Sequence, residues 1–337
     1  MVNTKRLVYG CYEISYCGGH GDRFHGIMTA FLLALITGRR LFIDARHPVP
    51  LDAALKGFWK LPLADVASEA ARYQFVGDTD AFVELLPKLL DEQARQVTLS
   101  TNLRMEGILA RHPLTAHLVK TYLNGSPYWV HCAWDFLFSP TPDLFDGVYK
   151  QMASMSSYYT HLEKEPPLRY GMVRGFPTMF PYISIHFRAG NESSSRWRDP
   201  PRHALSELDT FLECAQKLER DGSVNVYGEI PYFLSSDVSL PDLNKTASED
   251  SLFRELLMSN KLHYMQDRQH GTVHVDRSPP QLAISGFMES WVEYYMLANA
   301  EISVISNSFF GETAAEIGRA RGVYYYDGCF PVDLSGA

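Results

Sequence analysis

Apolar residues fall into two spacings along this chain, and the spacing sets the expected elements. Residues 7–15 (LVYGCYEIS) are dense in aromatic and β-branched side chains and predict a first strand, interrupted at Gly10. After the turn CGGHGDR, Phe24, Ile27, Met28, Phe31, Leu32, Leu35 and Ile36 recur at helical intervals, with Gly38 as the stop. Residues 40–44 (RLFID) predict a short buried strand. Strand, Gly-rich turn, helix and strand make a βαβ unit, which implies a parallel sheet with a right-handed crossover. Further on, 48–65 reads as loop with a short helix, 80–90 as a helix around Pro87, and 97–102 as another strand. Residues 127–149 are aromatic and irregular; Trp129, Trp134, Phe136, Phe138 and Phe145 suit a core better than a sugar platform.

The second half repeats the alternation. Charges, Pro and Gly cluster over 161–181 and a new core begins directly after them, which predicts two domains, residues 1–165 and 166–337. Strands are expected at 182–187, 232–235, 261–264 and 301–306; helices at 204–219, 253–257, 286–298 and 310–319. Residues 206–209 and 307–312 supply polar helix starts. The expected class is α/β: two facing Rossmann-like domains, each on an open parallel sheet.

Composition narrows the function classes. A chain of 337 residues exceeds one ordinary core, and 46% hydrophobic with 21% charged residues is a globular balance. The net charge of −8 argues against nucleic-acid partners and anionic membrane surfaces. The N-terminus lacks a signal-peptide core and no long uninterrupted apolar run follows, so no membrane segment is expected. The five cysteines, Cys11, Cys17, Cys132, Cys214 and Cys329, are scattered without a CxxC. That favours reduced thiols and a cytoplasmic setting, or a secretory lumen if an anchor has been trimmed, with a Cys11 to Cys17 bridge left open.

Three stretches carry candidate chemistry. In YISIHFRAGN, His186 and Arg188 stand two apart at the end of a strand and so share a face, before Gly190 and Asn191 break the strand. Ligands of open α/β sheets bind outside the carboxyl ends of strands, and a guanidinium there suits a phosphate. The alternative is an Arg in a surface ion pair and a His bonded to a carbonyl. The second stretch, CGGHGDRFHG, places Gly18, Gly19 and Gly21 before a helix N-terminus that suits an anion, with Asp22, Arg23 and His25 at its mouth; it is neither GxGxxG in register nor a Walker loop. In the third, residues 289–318, a helix bearing Glu293 leads into a strand ending at Ser306, Asn307 and Ser308 before another helix. Hydroxyls and helix N-terminal amides can hold a phosphate without a metal, and a carboxylate such as Glu293 can accept two N–H groups of a guanine. FLSSDV adds a strand-end Asp237, which can equally cap a helix.

Together these stretches resemble the fucosyltransferase superfamily of GT-B glycosyltransferases, which includes α1,2-, α1,6- and protein O-fucosyltransferases. His186-Phe187-Arg188 is similar to the family's HxR motif, and 293–308 to its later motif of an acid followed by Ser/Thr-rich residues. The acid is Glu here where the family usually has Asp. The resemblance implies an inverting, metal-independent transfer of fucose from a GDP-fucose donor to the hydroxyl of a glycan acceptor. It implies Arg188 on the β-phosphate and His186 on the nucleoside, with Asp237, Glu293, Ser306, Asn307, Ser308 and Gly19 around the donor. No DxD triplet stands at a strand end, so no metal and no cofactor beyond the donor substrate is expected. Inversion calls for a base near the attacking hydroxyl. Asp22 is the candidate, with Glu13 and His25 behind it, and a helix cap is its alternative role. Two rival readings stand beside this one: a GT-B enzyme using another nucleotide sugar, and a glycan- or nucleotide-binding protein without turnover.

Overall fold

The computed structural model describes residues 5–12, 18–57, 70–75, 77–123, 125–126, 128–161, 172–173, 176–177, 180–190, 201–222, 229–265, 274–275, 280–318, 320 and 322–332. These form two compact units that change over between Ser139 and Pro140.

The first unit is built on a four-stranded sheet of β1 (Arg6–Cys11), β2 (Arg40–Ala45), β3 (Ala70–Phe75) and β4 (Gln96–Thr101), in the order β2-β1-β4-β3 with every pairing parallel. Helix α1 (His20–Thr37) makes the predicted crossover from β1 to β2 and packs on β1, β2 and β4. It ends where expected, at Gly38 with φ 62°, a left-handed turn that glycine adopts without penalty. Its start lies before the apolar run, because His20, Gly21, Asp22 and Arg23 are already helical. The helix can lie close because residue 26 is glycine: a β-carbon there would fall on the Thr101 carbonyl of β4. Gly10 does not interrupt β1 but pairs opposite Asp44. Helices α2 (Thr79–Asp91), α3 (Glu106–Arg111), α4 (Ala116–Leu123) and α5 (Trp129–Leu137) complete the unit. Asp78 caps α2 by accepting from the Ala81 N–H at 2.9 Å.

The second unit holds a six-stranded sheet. Its strands are β5 (Ile183–Phe187), β6 (Tyr232–Ser236), β7 (Leu262–Tyr264), β8 (Ile302–Ile305), β9 (Gly322–Tyr325) and β10 (Phe330–Pro331), ordered β7-β6-β5-β8-β9-β10. All pairs are parallel except β9 with β10. Numbered along the unit this is 3-2-1-4-5-6, the Rossmann order, with the switch point between β5 and β8. Helices α6 (Pro142–Met155), α7 (Leu208–Arg220), α8 (Leu240–Thr246), α9 (Leu252–Met258), α10 (Pro280–Ser285), α11 (Phe287–Ala298) and α12 (Phe309–Gly318) surround it. Ile183, Ile185 and Phe187 of β5 join Ile302 and Val304 of β8 in a core closed by Phe211, Leu212 and Leu218 of α7. The alternate residues Ser184, His186 and Arg188 face the other layer, where α11 packs on β5, β6, α6 and α12. Helix α11 is buried on every side from Ser290 to Ala298, with Glu293 inside that buried length. Gly147 of α6 allows the close approach, since a β-carbon there would meet Val292 Cγ2 at 2.6 Å.

Two further expectations are corrected. The irregular stretch 127–149 is largely helical, in α5 and α6. Aromatics on both faces hid the period: Trp134 is buried against Phe24 and Phe138, while Phe136 points outward. The expectation of reduced thiols fails for Cys214 and Cys329, which form a disulfide across 115 residues of sequence, and Cys11 is disulfide-bonded as well. No local spacing announces such a pairing. Cys132 is exposed and forms no disulfide. Most of 161–181, the expected boundary, lies outside the described residues; α6 packs on α11 and so falls in the second unit.

Candidate donor site at the carboxyl edge of the second sheet

The alternation of β5 places His186 and Arg188 on one face, and both are buried, at 4% and 6% exposure. Parallel pairing with β8 brings Ser306 across the switch point, its N–H donating to the His186 carbonyl at 3.0 Å. The Ser306 hydroxyl then lies 3.0 Å from His186 Nδ1. Burial, followed by the positive charges of Arg188, Arg202 and His203, pushes the His186 imidazole down to about 3 from its ordinary 6.5, so the ring is neutral at physiological pH. Helix α12 packs onto that ring through Gly311, where a β-carbon would stand 2.7 Å from Nδ1. Ser306 and Ser308 are buried and Asn307 is exposed, all three directly before the N-terminus of α12.

Asp237 follows β6, and its two oxygens accept from the N–H groups of Ala189 and Gly190 at 2.8 and 2.9 Å. The same carboxylate stands 4.0 Å from Arg188 Nε. Asp237 therefore holds the turn after HFR and touches the arginine, a job in addition to the nucleotide-side role expected of it. Glu293 is 2% exposed on α11 and accepts from the Ser235 hydroxyl of β6 at 3.3 Å. The structure thus brings His186, Arg188, Ser306 and Asp237 into one constellation and sets Glu293 beneath it, against the sheet.

Sequence reading missed two contributors. Arg202 donates its backbone N–H to Ala189 at 2.8 Å and its Nη1 to the Asn307 carbonyl at 2.8 Å, tying the turn after β5 to the turn after β8. His274 brings Nδ1 to 3.1 Å from Arg188 Nη1. Neither lies in a motif, and only folding brings them to the edge. Asn191 lies outside the described residues.

In the first unit Gly19 is the N-cap of α1, and its N–H donates to Asp22 Oδ2 at 3.0 Å. Asp22 at N3 therefore performs the capping role that was its alternative reading. Arg23 is buried with Nε on the Gly18 carbonyl at 3.0 Å and Nη1 on that of His47. His25 is buried, and burial followed by Arg104 pushes its imidazole down to about 3. Glu13 lies outside the described residues. Among the described residues no group of three or more His, Cys, Asp and Glu is placed to hold a metal ion, and no helix is long and apolar enough to cross a membrane.

No protein-family model matches the chain, and no curated protein matches it in sequence. Solved structures do resemble it. An Arabidopsis thaliana FUT1 mutant in complex with GDP aligns over 96% of this chain and 70% of its own, at 14% identity and a TM-score of 0.55. The fucosyltransferase NodZ from Bradyrhizobium aligns over 98% and 99% at 13% identity and a TM-score of 0.46. A NodZ α-1,6-fucosyltransferase soaked with GDP-fucose aligns over 96% and 95% at 14% identity, also at 0.46. The first of these shows that the chain has the fold of a GT-B fucosyltransferase, as the motif resemblance implied.

Proposed function

We propose that the chain is an inverting glycosyltransferase that moves fucose from GDP-fucose to a glycan hydroxyl without a metal ion. The observation that carries the reading is the meeting of His186, Arg188 and Ser306 at the switch point of a sheet in Rossmann order. GDP, the ligand of the Arabidopsis thaliana neighbour, is the nucleotide this reading selects.

In the proposed reaction the bond between fucose C1 and the β-phosphate oxygen breaks, and its electron pair stays with GDP. Negative charge grows on the phosphate as it leaves. Arg188, the hydroxyls of Ser306 and Ser308, and the first amides of α12 stabilise that charge more than they stabilise the intact donor, which is the condition for catalysis. Neutral His186 faces the nucleoside, Glu293 accepts from the guanine edge, and Asn307 approaches the donor through backbone. Asp22 takes the proton of the acceptor hydroxyl as it attacks C1 from the side opposite GDP.

The test is transfer from GDP-fucose to a panel of glycans, run with excess EDTA, beside thermal shifts with GDP and UDP. GDP should raise the melting temperature more than UDP does, because a ligand of the native state stabilises in proportion to its affinity. Acceptor-dependent release of GDP should persist in the chelator. Equal shifts with both nucleotides would point to another donor, activity restored only by manganese would exclude the metal-free mechanism, and GDP binding without transfer or hydrolysis would make the chain a binding protein.

A further inference from the structure

Arg188 is buried at the end of β5, and a buried cation needs oriented partners. Asp237 stands 4.0 Å from its Nε, but both carboxylate oxygens already take the N–H groups of Ala189 and Gly190 at 2.8 and 2.9 Å. The closer contact comes from 86 residues away: Nη1 lies 3.1 Å from Nδ1 of His274. Guanidinium nitrogens carry only donors, so Arg188 donates and His274 accepts. His274 is then neutral, with its proton on Nε2. A proton on Nδ1 would set donor against donor, and an imidazolium would add a second positive charge beside the first.

We propose that His274 is a positioning residue for Arg188, fixing the plane in which the guanidinium meets the donor diphosphate; this rests on the donor-site reading above. Contacts at Nε and Nη1 hold the end of a long, rotamer-rich side chain before any ligand arrives, so less freedom is lost on binding. A planar fork rewards such fixation, because two parallel bonds to phosphate oxygens form in only one orientation. The same acceptor costs the site nothing in charge, since neutral His274 leaves the whole guanidinium charge to the phosphate.

The experiment compares dissociation constants of the full chain for GDP and for guanosine, which lacks the diphosphate. His274→Leu removes the acceptor at similar volume, and His274→Asn keeps an acceptor oxygen near the place of Nδ1. H274L should weaken GDP by roughly tenfold or more while guanosine stays within about twofold, and H274N should recover most of the loss. Unchanged GDP affinity in H274L overturns the proposal, as does an equal loss for both ligands, which a merely structural role would give. If H274L melts well below the wild type, His274→Gln supplies the contrast with H274N, because its acceptor is displaced by one methylene. A wild type that binds no GDP overturns the donor-site reading itself, and that result is separate from any difference between variants.

Discussion

Glu293 shows how little a residue's type says about its duty until its burial is known. A carboxylate at 2% exposure must be hydrogen-bonded, and the Ser235 hydroxyl supplies one bond at 3.3 Å. The proposed guanine contact would supply others. Glu293→Gln keeps a carbonyl oxygen for Ser235 but turns one acceptor towards guanine into a donor. GDP binding should therefore weaken by about 1 to 3 kcal/mol, with UDP unaffected and the melting temperature close to wild type. Calorimetric titration with both nucleotides checks this, and equal losses would make Glu293 a structural residue. His186, Arg188 and Ser306 were legible as residues because strand alternation and strand ends are written in sequence. His274 and Arg202 were not, because each reaches the edge from a segment with no pattern of its own.

At the scale of elements, α1 is where chemistry and architecture compete for the same side chain. Asp22 accepts from the Gly19 N–H at the N3 position, and its charge favours the positive end of the helix dipole. Asp22→Asn retains an acceptor and loses only the charge, so stability should fall by about 0.3 to 1 kcal/mol at most. If Asp22 is also the base, acceptor-dependent turnover should fall much further while GDP binding stays unchanged. Melting temperature and initial rate on this one variant settle the matter, and a rate near wild type would leave capping as its whole role. Apolar residues at helical spacing made α1 and α7 readable, whereas α5 and α6 escaped although each buries one face. Strand β3 (AARYQF) escaped because it carries no β-branched residue, and β9 because a run of tyrosines has no period. Asp209 marks another shared duty: expected at a helix start, it accepts from the N–H groups of Leu252 and Phe253 at 3.3 and 3.0 Å and so braces α9.

At the scale of the molecule, four buried imidazoles tie stability to pH. Burial is the leading cause in each: His20 is held well below the ordinary value, His25 and His186 are pushed down to about 3, and His263 to about 4. Between those values and the ordinary 6.5 the unfolded chain binds protons that the native state refuses, so stability rises with pH. The contribution is whole above about pH 6.5 and is lost as pH falls towards the folded values. Melting temperature should drop steadily between pH 7 and pH 4, and His263→Gln, remote from the donor edge on β7, should make the slope shallower. A slope identical to wild type would mean that His263 titrates freely in the fold. The Cys214 to Cys329 bridge acts at the same scale, joining α7 to the turn before β10 and closing a loop of 115 residues. Chain-entropy models give such closures roughly 4 to 5 kcal/mol. It also removes the thiol argument on which a cytoplasmic setting had rested.

What the sequence determined by itself were the features written in local order. They include the βαβ start, the αL stop at Gly38, the shared face of His186 and Arg188, and the α/β class, because period, turn chemistry and strand ends act over a few residues. Tertiary structure alone decided the contacts between strangers in sequence: the Rossmann order that sets Ser306 on His186, the Asp237 clasp on the turn after HFR, His274 against Arg188, and the disulfide. Each depends on which strands pair and which helices pack. That choice is made by the whole buried surface at once, so no single stretch of chain records it.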